Sequence, residues 1–305
     1  MMVKMKRILT TPEGTFIHCR DSGMCAFTRK LKSERWIKPL YAQIAVTEKC
    51  DLNPPCPWCY AEASPNKCRL WEVDELMKLV KFLDSWDGGL LGVAYGGGEP
   101  FTHPDIVEIV KRTWNETNLD VSLTTNGFAV SPDTLAAIEG YVGEVRVSIY
   151  YPCNCKLLEK FLNRRFDIGV NLLLMMEGIS NIENTVETCV EMGVRDFLIN
   201  SLRPAGSANN CKDKEPTMDD YLQLAKLVEK FRNKAQFKVS TRTAETLQKY
   251  TKLQFIPFTN QARGRIIAIT ADKKVKPSSM STEAYPFNEP EETAAIYRNR
   301  IAMQF

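Results

Sequence analysis

The sequence predicts an α/β chain: a partial (β/α)6 TIM barrel, with an N-terminal hairpin before it and a small C-terminal α+β extension after it. Three observations predict this. From Ala42 onward, strand-like apolar runs alternate six times with segments of helical periodicity. Three of the strands run straight into polar or glycine-rich loops, VTEKC, YGGGEP and TTNG, and α/β folds carry their chemistry at the carboxyl ends of strands. The 305 residues are 44% apolar and 25% charged, an ordinary globular composition with enough chain for a sizeable core.

The elements follow in order. Residues 1–40 form a preface in which RILTT, Pro12-Glu13-Gly14 and TFIHC read as a hairpin. The barrel occupies 41–235. Strand one (43–48) precedes a helix from Trp71 to Trp86, with Leu76, Leu79, Val80 and Leu83 at helical spacing. Strand two (90–95) precedes a helix over 103–116, with Ile106, Ile109 and Val110 on one face. After strand three (119–124), Ser131-Pro132-Asp133 supplies an N-cap and a proline at the first helical position. Strand four (144–150) leads to a helix over 156–166, and strand five (169–175) to a helix over 181–192. Strand six (196–202) ends at Arg203-Pro204-Ala205-Gly206, and Thr217-Met218-Asp219-Asp220 caps a sixth helix. The rhythm changes in 236–305, where 263–276 reads as a hairpin turning at Asp272-Lys273.

The stretch VTEKCDLNPPCPWCY carries Cys50, Cys56 and Cys59 on the loop after strand one. Closely spaced thiolates suit a soft metal or an iron–sulfur cluster. Three ligands leave one coordination site for something outside the protein. The competing reading is a structural zinc loop completed by Cys68 or one of the two histidines.

The triad, with Trp58 before its last cysteine, is followed in order by Gly97-Gly98-Glu99-Pro100, His103-Pro104 and Thr124-Thr125-Asn126-Gly127. Together these motifs resemble the radical S-adenosylmethionine (radical SAM) family over roughly 41–205. The chain departs from the usual pattern by placing five residues between its first two cysteines, Pro54 and Pro55 among them, instead of three. The two extra residues are expected to bulge from the loop, stiffened by the prolines.

The resemblance implies one 4Fe-4S cluster on Cys50, Cys56 and Cys59, with S-adenosylmethionine on the open iron. It implies a 5′-deoxyadenosyl radical that abstracts a hydrogen from substrate. It places Gly97, Gly98, Glu99 and Pro100 at the methionine amino group, the glycines leaving room for close backbone approach. Thr124 and Asn126 are expected at the ribose or the methionine carboxylate, and Ser148 at the ribose, with Tyr150 where the family commonly has an acid. Trp58 is expected against the adenine or packed in its loop. Asn171 is a further candidate. Arg203 reads either as a carboxylate contact or as a structural salt bridge. No residue is assigned a catalytic proton or radical role.

The extension resembles the twitch or SPASM hairpin of related enzymes, but Gln261 and Ser278 stand where cluster ligands are expected, so no auxiliary cluster is predicted. Cys153 and Cys155 flank Asn154 at the functional end, read as redox-active, metal-binding or incidental thiols and as poorly placed for a shared disulfide. His18, Cys19 and Cys25 lie in the preface, and Cys189 on an apolar helix face.

A net charge of +3 gives no argument for nucleic acid or an anionic membrane. No apolar run reaches a membrane span, the N-terminus has no signal core, and ten cysteines without a secretory context point to a reducing cytoplasm. The leading expectation is a radical SAM enzyme acting on a peptide or protein, with flavodoxin or ferredoxin as electron donor. The alternatives are action on a small molecule or cofactor precursor, or a non-catalytic metal-binding barrel.

Overall fold

The computed structural model describes the strands at 6–11, 14–19 and 24–29, and residues 38–150, 154–240, 243–244, 246–247, 256–257 and 266–302. The preface is a three-stranded antiparallel sheet rather than a hairpin: β1 (Lys6–Thr11), β2 (Gly14–Cys19) and β3 (Met24–Arg29). The first two strands pair up to Thr11↔Gly14, and the turn expected at Pro12-Glu13 lies outside the described residues. The third strand, MCAFTR, is short and follows Asp21-Ser22-Gly23, so its pairing with β2 carries no strong local signal.

Among the described residues the main sheet has eleven strands, in the order β11-β10-β9-β8-β7-β6-β5-β4-β12-β13-β14. Its centre is the six predicted strands: β4 (Tyr41–Thr47), β5 (Gly92–Gly97), β6 (Asp120–Thr125), β7 (Glu144–Ser148), β8 (Asp167–Leu174) and β9 (Asp196–Ser201). All are parallel neighbours in chain order. The helices between them are α1 (Val73–Ser85), α2 (Ile106–Glu116), α3 (Pro132–Ile138), α4 (Ile179–Glu191) and, after β9, α5 (Met218–Phe231).

Alternation explains why these segments are strands. On β4, Ala42, Ile44 and Val46 are fully buried, while Tyr41, Gln43 and Ala45 line the central cavity. On β7, Val145 and Val147 face outward into the core, and Glu144, Arg146 and Ser148 line the cavity. The helices bury the predicted stripe: Leu76, Leu79, Val80 and Leu83 of α1 are at most 1% exposed, each worth roughly 1.5–3 kcal/mol of transfer free energy. The caps form as read. Ser131 accepts from Thr134 N at the start of α3, and Thr217 and Asp220 make a reciprocal capping box at α5.

Two expectations are corrected. Residues 156–166 do not form an α-helix; a 3-10 stretch, Cys155–Lys160, connects β7 to β8. The chain beyond 235 is also not set apart from the sheet. The strand β10 (Gln236–Val239) adds to β9, and β11 (Ile256–Pro257) adds to β10, both parallel. The predicted hairpin is present as β12 (Ile266–Ile269) and β13 (Lys274–Lys276), with Lys273 at φ 56° in its turn. The first strand of that hairpin pairs in parallel with β4 from Ile266↔Tyr41 to Ile269↔Ile44, so it flanks the strand that carries the cysteines. A short β14 (Tyr285–Pro286) and a helix, Pro290–Ile296, follow. No described helix is long and apolar enough to cross a membrane.

Candidate active site

The cysteine loop leaves β4 and is laced back onto it. Glu48 N donates to Arg69 O, Cys50 N to Ser64 O and Trp71 N to Val46 O, at 2.9–3.1 Å. Within the loop, Cys59 N donates to Cys56 O at 3.1 Å. The two extra residues behave as expected: Asn53, Pro54 and Pro55 are exposed, so the longer spacing is taken up by an outward bulge. Cys50, Cys56 and Cys59 are free, partly buried thiols on the wall of one cavity of about 1310 Å³.

Their ionisation is mutually opposed. Burial pushes the Cys56 thiol up to about 11, with the neighbouring charges of Cys59 and Cys50 adding to it. Burial also raises Cys50, with Asp51, Glu99 and Cys59 as further negative neighbours. Three crowded thiols beside carboxylates call for a multivalent cationic partner, and an iron–sulfur cluster is that kind of partner. The donor set therefore fits a cluster. The zinc reading finds no free histidine among the described side chains: buried His103 bonds Trp71 O through Nε2 at 2.8 Å and accepts Asp105 N at Nδ1. Cys68 is exposed, and the side chain of His18 lies outside the described residues. Among the described residues no three His, Cys, Asp or Glu side chains gather around a single ion position.

The glycine motif packs against the cysteine loop. Gly98 N donates to Thr47 O at 2.8 Å and Glu99 N to Lys49 O at 2.7 Å. A Cβ on Gly98 would stand 1.9 Å from Lys49 O, and one on Gly97, at φ +119°, 2.4 Å from Thr47 O. The close approach at these two glycines is thus to the backbone of the cysteine loop. Gly96 is the open one, with nothing within 4 Å of a Cβ placed there.

Glu99 is 1% exposed. Its carboxylate accepts from Phe101 N (3.1 Å), Thr125 Oγ1 (2.8 Å) and Asn126 N (2.7 Å), clamping the β5 loop to the β6 loop. Burial pushes this carboxyl up to about 7 against those three bonds. Pro100 is buried, opens the 3-10 turn Pro100–Thr102, and is the one predicted contact that is not on the cavity wall.

Asn126 joins two of the loops. Its Nδ2 donates to Asp51 Oδ1 at 2.7 Å and lies 3.7 Å from Cys50 Sγ, and its Oδ1 accepts from Phe128 N. On the cavity wall, the side chain ties the third motif to the first. Thr124 and Ser148 do line the cavity. Ser148 hydrogen-bonds Tyr150, which packs edge-on against Trp58 with ring centroids 6.1 Å apart. The Trp58 Nε1 is buried without a hydrogen-bond partner among the described residues. Arg203 lines the cavity, with Nη2 3.3 Å from Ser240 Oγ.

Sequence reasoning missed the support from the last barrel loop. Ser207 N donates to Cys59 O at 2.9 Å, and Gly206, at φ +57°, passes so close that a Cβ would stand 2.4 Å from Tyr60 O. The run Pro204-Ala205-Gly206 was the available signal. Asp51 was missed because its role appears only once β4 and β6 are adjacent. Cys155 is disulfide-bonded, against the expectation of incidental thiols, and its Sγ lies 3.8 Å from that of buried Cys189. Cys153 and Gln261 lie outside the described residues.

The site is that of a parallel α/β barrel with a thiol triad on the loop after its first strand, braced by the loops after its second, third and sixth. Residues 44–153 match the family model described as "Radical SAM superfamily". The matched family implies a 4Fe-4S cluster and S-adenosylmethionine. A "Probable GTP 3′,8-cyclase" of Methanococcus maripaludis (strain C5) is 26% identical over 180 residues, 59% of this chain and 53% of that protein. The subtilosin biosynthesis protein AlbA of Bacillus subtilis is 29% identical over 117 residues, 38% of this chain and 25% of that protein. The chain spans about half the length, or less, of these curated relatives. Among solved structures, Streptococcus suis SuiB superposes with a TM-score of 0.72 at 12% identity, covering 97% of this chain and 88% of that one. The enzyme anSMEcpe with bound AdoMet and a peptide superposes at 0.66 with 14% identity, covering 88% and 82%. These likenesses give the fold.

Proposed function

We propose that this chain is a radical SAM enzyme that takes a hydrogen from a peptide or protein substrate. The observation that carries the reading is the convergence of the three motif loops on one cavity: the thiol triad, Gly96 to Glu99, and Thr124 to Asn126 all line it. Its volume of about 1310 Å³ exceeds the roughly 300–1,000 Å³ of a single small-ligand site, which leaves room for a second molecule beside a cofactor. When bound, the cluster and S-adenosylmethionine together supply reductive carbon–sulfur cleavage and a 5′-deoxyadenosyl radical, chemistry that side chains lack.

The chain's own residues hold and shield. Cys50, Cys56 and Cys59 hold the cluster. The backbone at Gly96 to Glu99, with Thr124, Ser148 and Trp58, lines the wall where the cofactor is held, and Trp58 offers both a ring face and an unspent N–H. Glu99 and Asn126 fix the loops. A reduced flavodoxin or ferredoxin in the cytoplasm is the proposed electron donor. The peptide assignment draws on the fold shared with SuiB, which was solved bound to its precursor peptide SuiA, and on AlbA among the sequence relatives.

A small-molecule substrate is the second reading. It is favoured by the polar inner wall, where Gln43, Ser122, Asn171 and Asn200 line the cavity, and by the cyclases among the relatives. Deuterium transfer decides between them. The reconstituted chain is given unlabelled S-adenosylmethionine, a reductant and either deuterated peptides or deuterated GTP. Deuterium in 5′-deoxyadenosine from a peptide supports the first reading; label from GTP alone overturns it.

A further inference from the structure

Gln43 presents a carboxamide to the barrel interior. Its Oε1 is buried without a hydrogen-bond partner among the described residues. Its neighbours in register are Ala94 on β5 and Ala268 on β12, so methyl groups flank it on both sides. An unpaired buried carbonyl is unfavourable, and such a group in a native fold asks for an explanation.

A second amide on the same cavity is held in a fixed orientation. Asn171 on β8 is 8% exposed, and its Oδ1 accepts from Arg146 Nε at 2.9 Å. That bond spends the acceptor and leaves Nδ2 for the cavity. A Cβ on Gly169 would stand 2.5 Å from Arg146 Nη1, so the glycine there makes space for the guanidinium.

The charges at this depth are matched. Arg146 Nη1 lies 2.5 Å from Glu144 Oε1, and 2.9 Å from Asp196 Oδ1 in an ion pair without hydrogen-bond geometry. Lys238 Nζ lies 2.6 Å from Asp196 Oδ2. A charged ligand group would therefore meet side chains whose charges already offset one another. An uncharged one needs only the unspent amide atoms.

We infer that Gln43 and Asn171 form a subsite in the barrel interior for an uncharged carboxamide group, Asn171 donating to its oxygen and Gln43 accepting from its N–H. The subsite rests on the reading above only in taking this cavity as the place where substrate enters. It deepens that reading by naming the group the site accepts: a carboxamide, and not a carboxylate, phosphate or ammonium.

The test uses saturation-transfer NMR on the full chain, with acetamide, acetate and methylammonium as separate probes. Acetamide should receive the most saturation, and its excess should vanish in Gln43→Met, which keeps the length and removes both polar ends. Equal saturation of acetate, or an acetamide excess that survives in Gln43→Met, would overturn the subsite. Melting temperature is the second measurement. Gln43→Met should melt at or above wild type, because an unpaired buried carbonyl has gone; a clearly lower value would show that the amide serves the fold. Should Gln43→Met not fold, Gln43→Glu replaces it and should move the preference from acetamide toward methylammonium; an unchanged preference would count against the proposal. None of these readouts needs iron, reductant or S-adenosylmethionine, so failure here and failure of the proposed radical chemistry are separately visible.

Discussion

Glu99 is the residue through which two motif loops communicate. It is buried, and it gathers the backbone of Phe101 and Asn126 and the hydroxyl of Thr125. Its carboxyl rises from 4.5 to about 7 on folding, burial being the main cause. The folded state thus holds this proton more tightly than the unfolded chain. Its contribution to stability is full below the unfolded value and is lost as pH rises through 7. Relative to Glu99→Gln, the wild type should lose on the order of 3 kcal/mol between pH 4.5 and 8. Urea midpoints of both proteins at several pH values measure this, and parallel curves would contradict it. The glycines give a second contrast. Gly98→Ala drives a Cβ into Lys49 O, whereas Gly96→Ala meets nothing within 4 Å. Gly98→Ala should melt lower by the equivalent of about 1–3 kcal/mol and load little iron, while Gly96→Ala keeps the wild-type melting temperature. Similar melting temperatures for the two variants would refute this steric account.

At the scale of elements, what was legible is what leaves a local trace. The stripes of α1 and α2, the caps at Ser131 and Thr217, and the turn at Asp272-Lys273 all form where residue spacing puts them. The triad and the glycine motif were legible because their chemistry needs rare residue types close together. What depends on contact between distant segments was not. IIAI reads as one arm of a hairpin, and nothing in those four residues announces their second partner, β4. Likewise, Asn126 and Asp51 stand 75 positions apart, and only the β4–β5–β6 register joins them. The pairing with β12 has a consequence for the cysteine strand. Ile267 and Ile269 are at most 1% exposed beside Ala42 and Ile44. A chain ended at residue 255 bares that edge of β4 and should lose both solubility and iron loading. Full iron content in a soluble truncated chain would show that β4 stands without its partner.

For the molecule as a whole, the parallel strands place every motif at one end of one sheet, and their inward faces carry several small or polar side chains, so that a cavity runs where a smaller barrel would be filled with aliphatic side chains. Ala45, Ala94, Ser122 and Ser148 line it, while the outward faces carry the core. Stability is thereby concentrated outside the sheet and chemistry inside it. The central claim is that the triad organises one iron–sulfur cluster that cleaves S-adenosylmethionine within this cavity. Anaerobic reconstitution followed by iron analysis and 5′-deoxyadenosine release under reductant tests it most directly. The account predicts about four irons per chain, release of 5′-deoxyadenosine, and loss of both in the Cys50/Cys56/Cys59 triple alanine variant. A triple variant that keeps its iron and its 5′-deoxyadenosine release, or a fully loaded wild type that releases none, would contradict it.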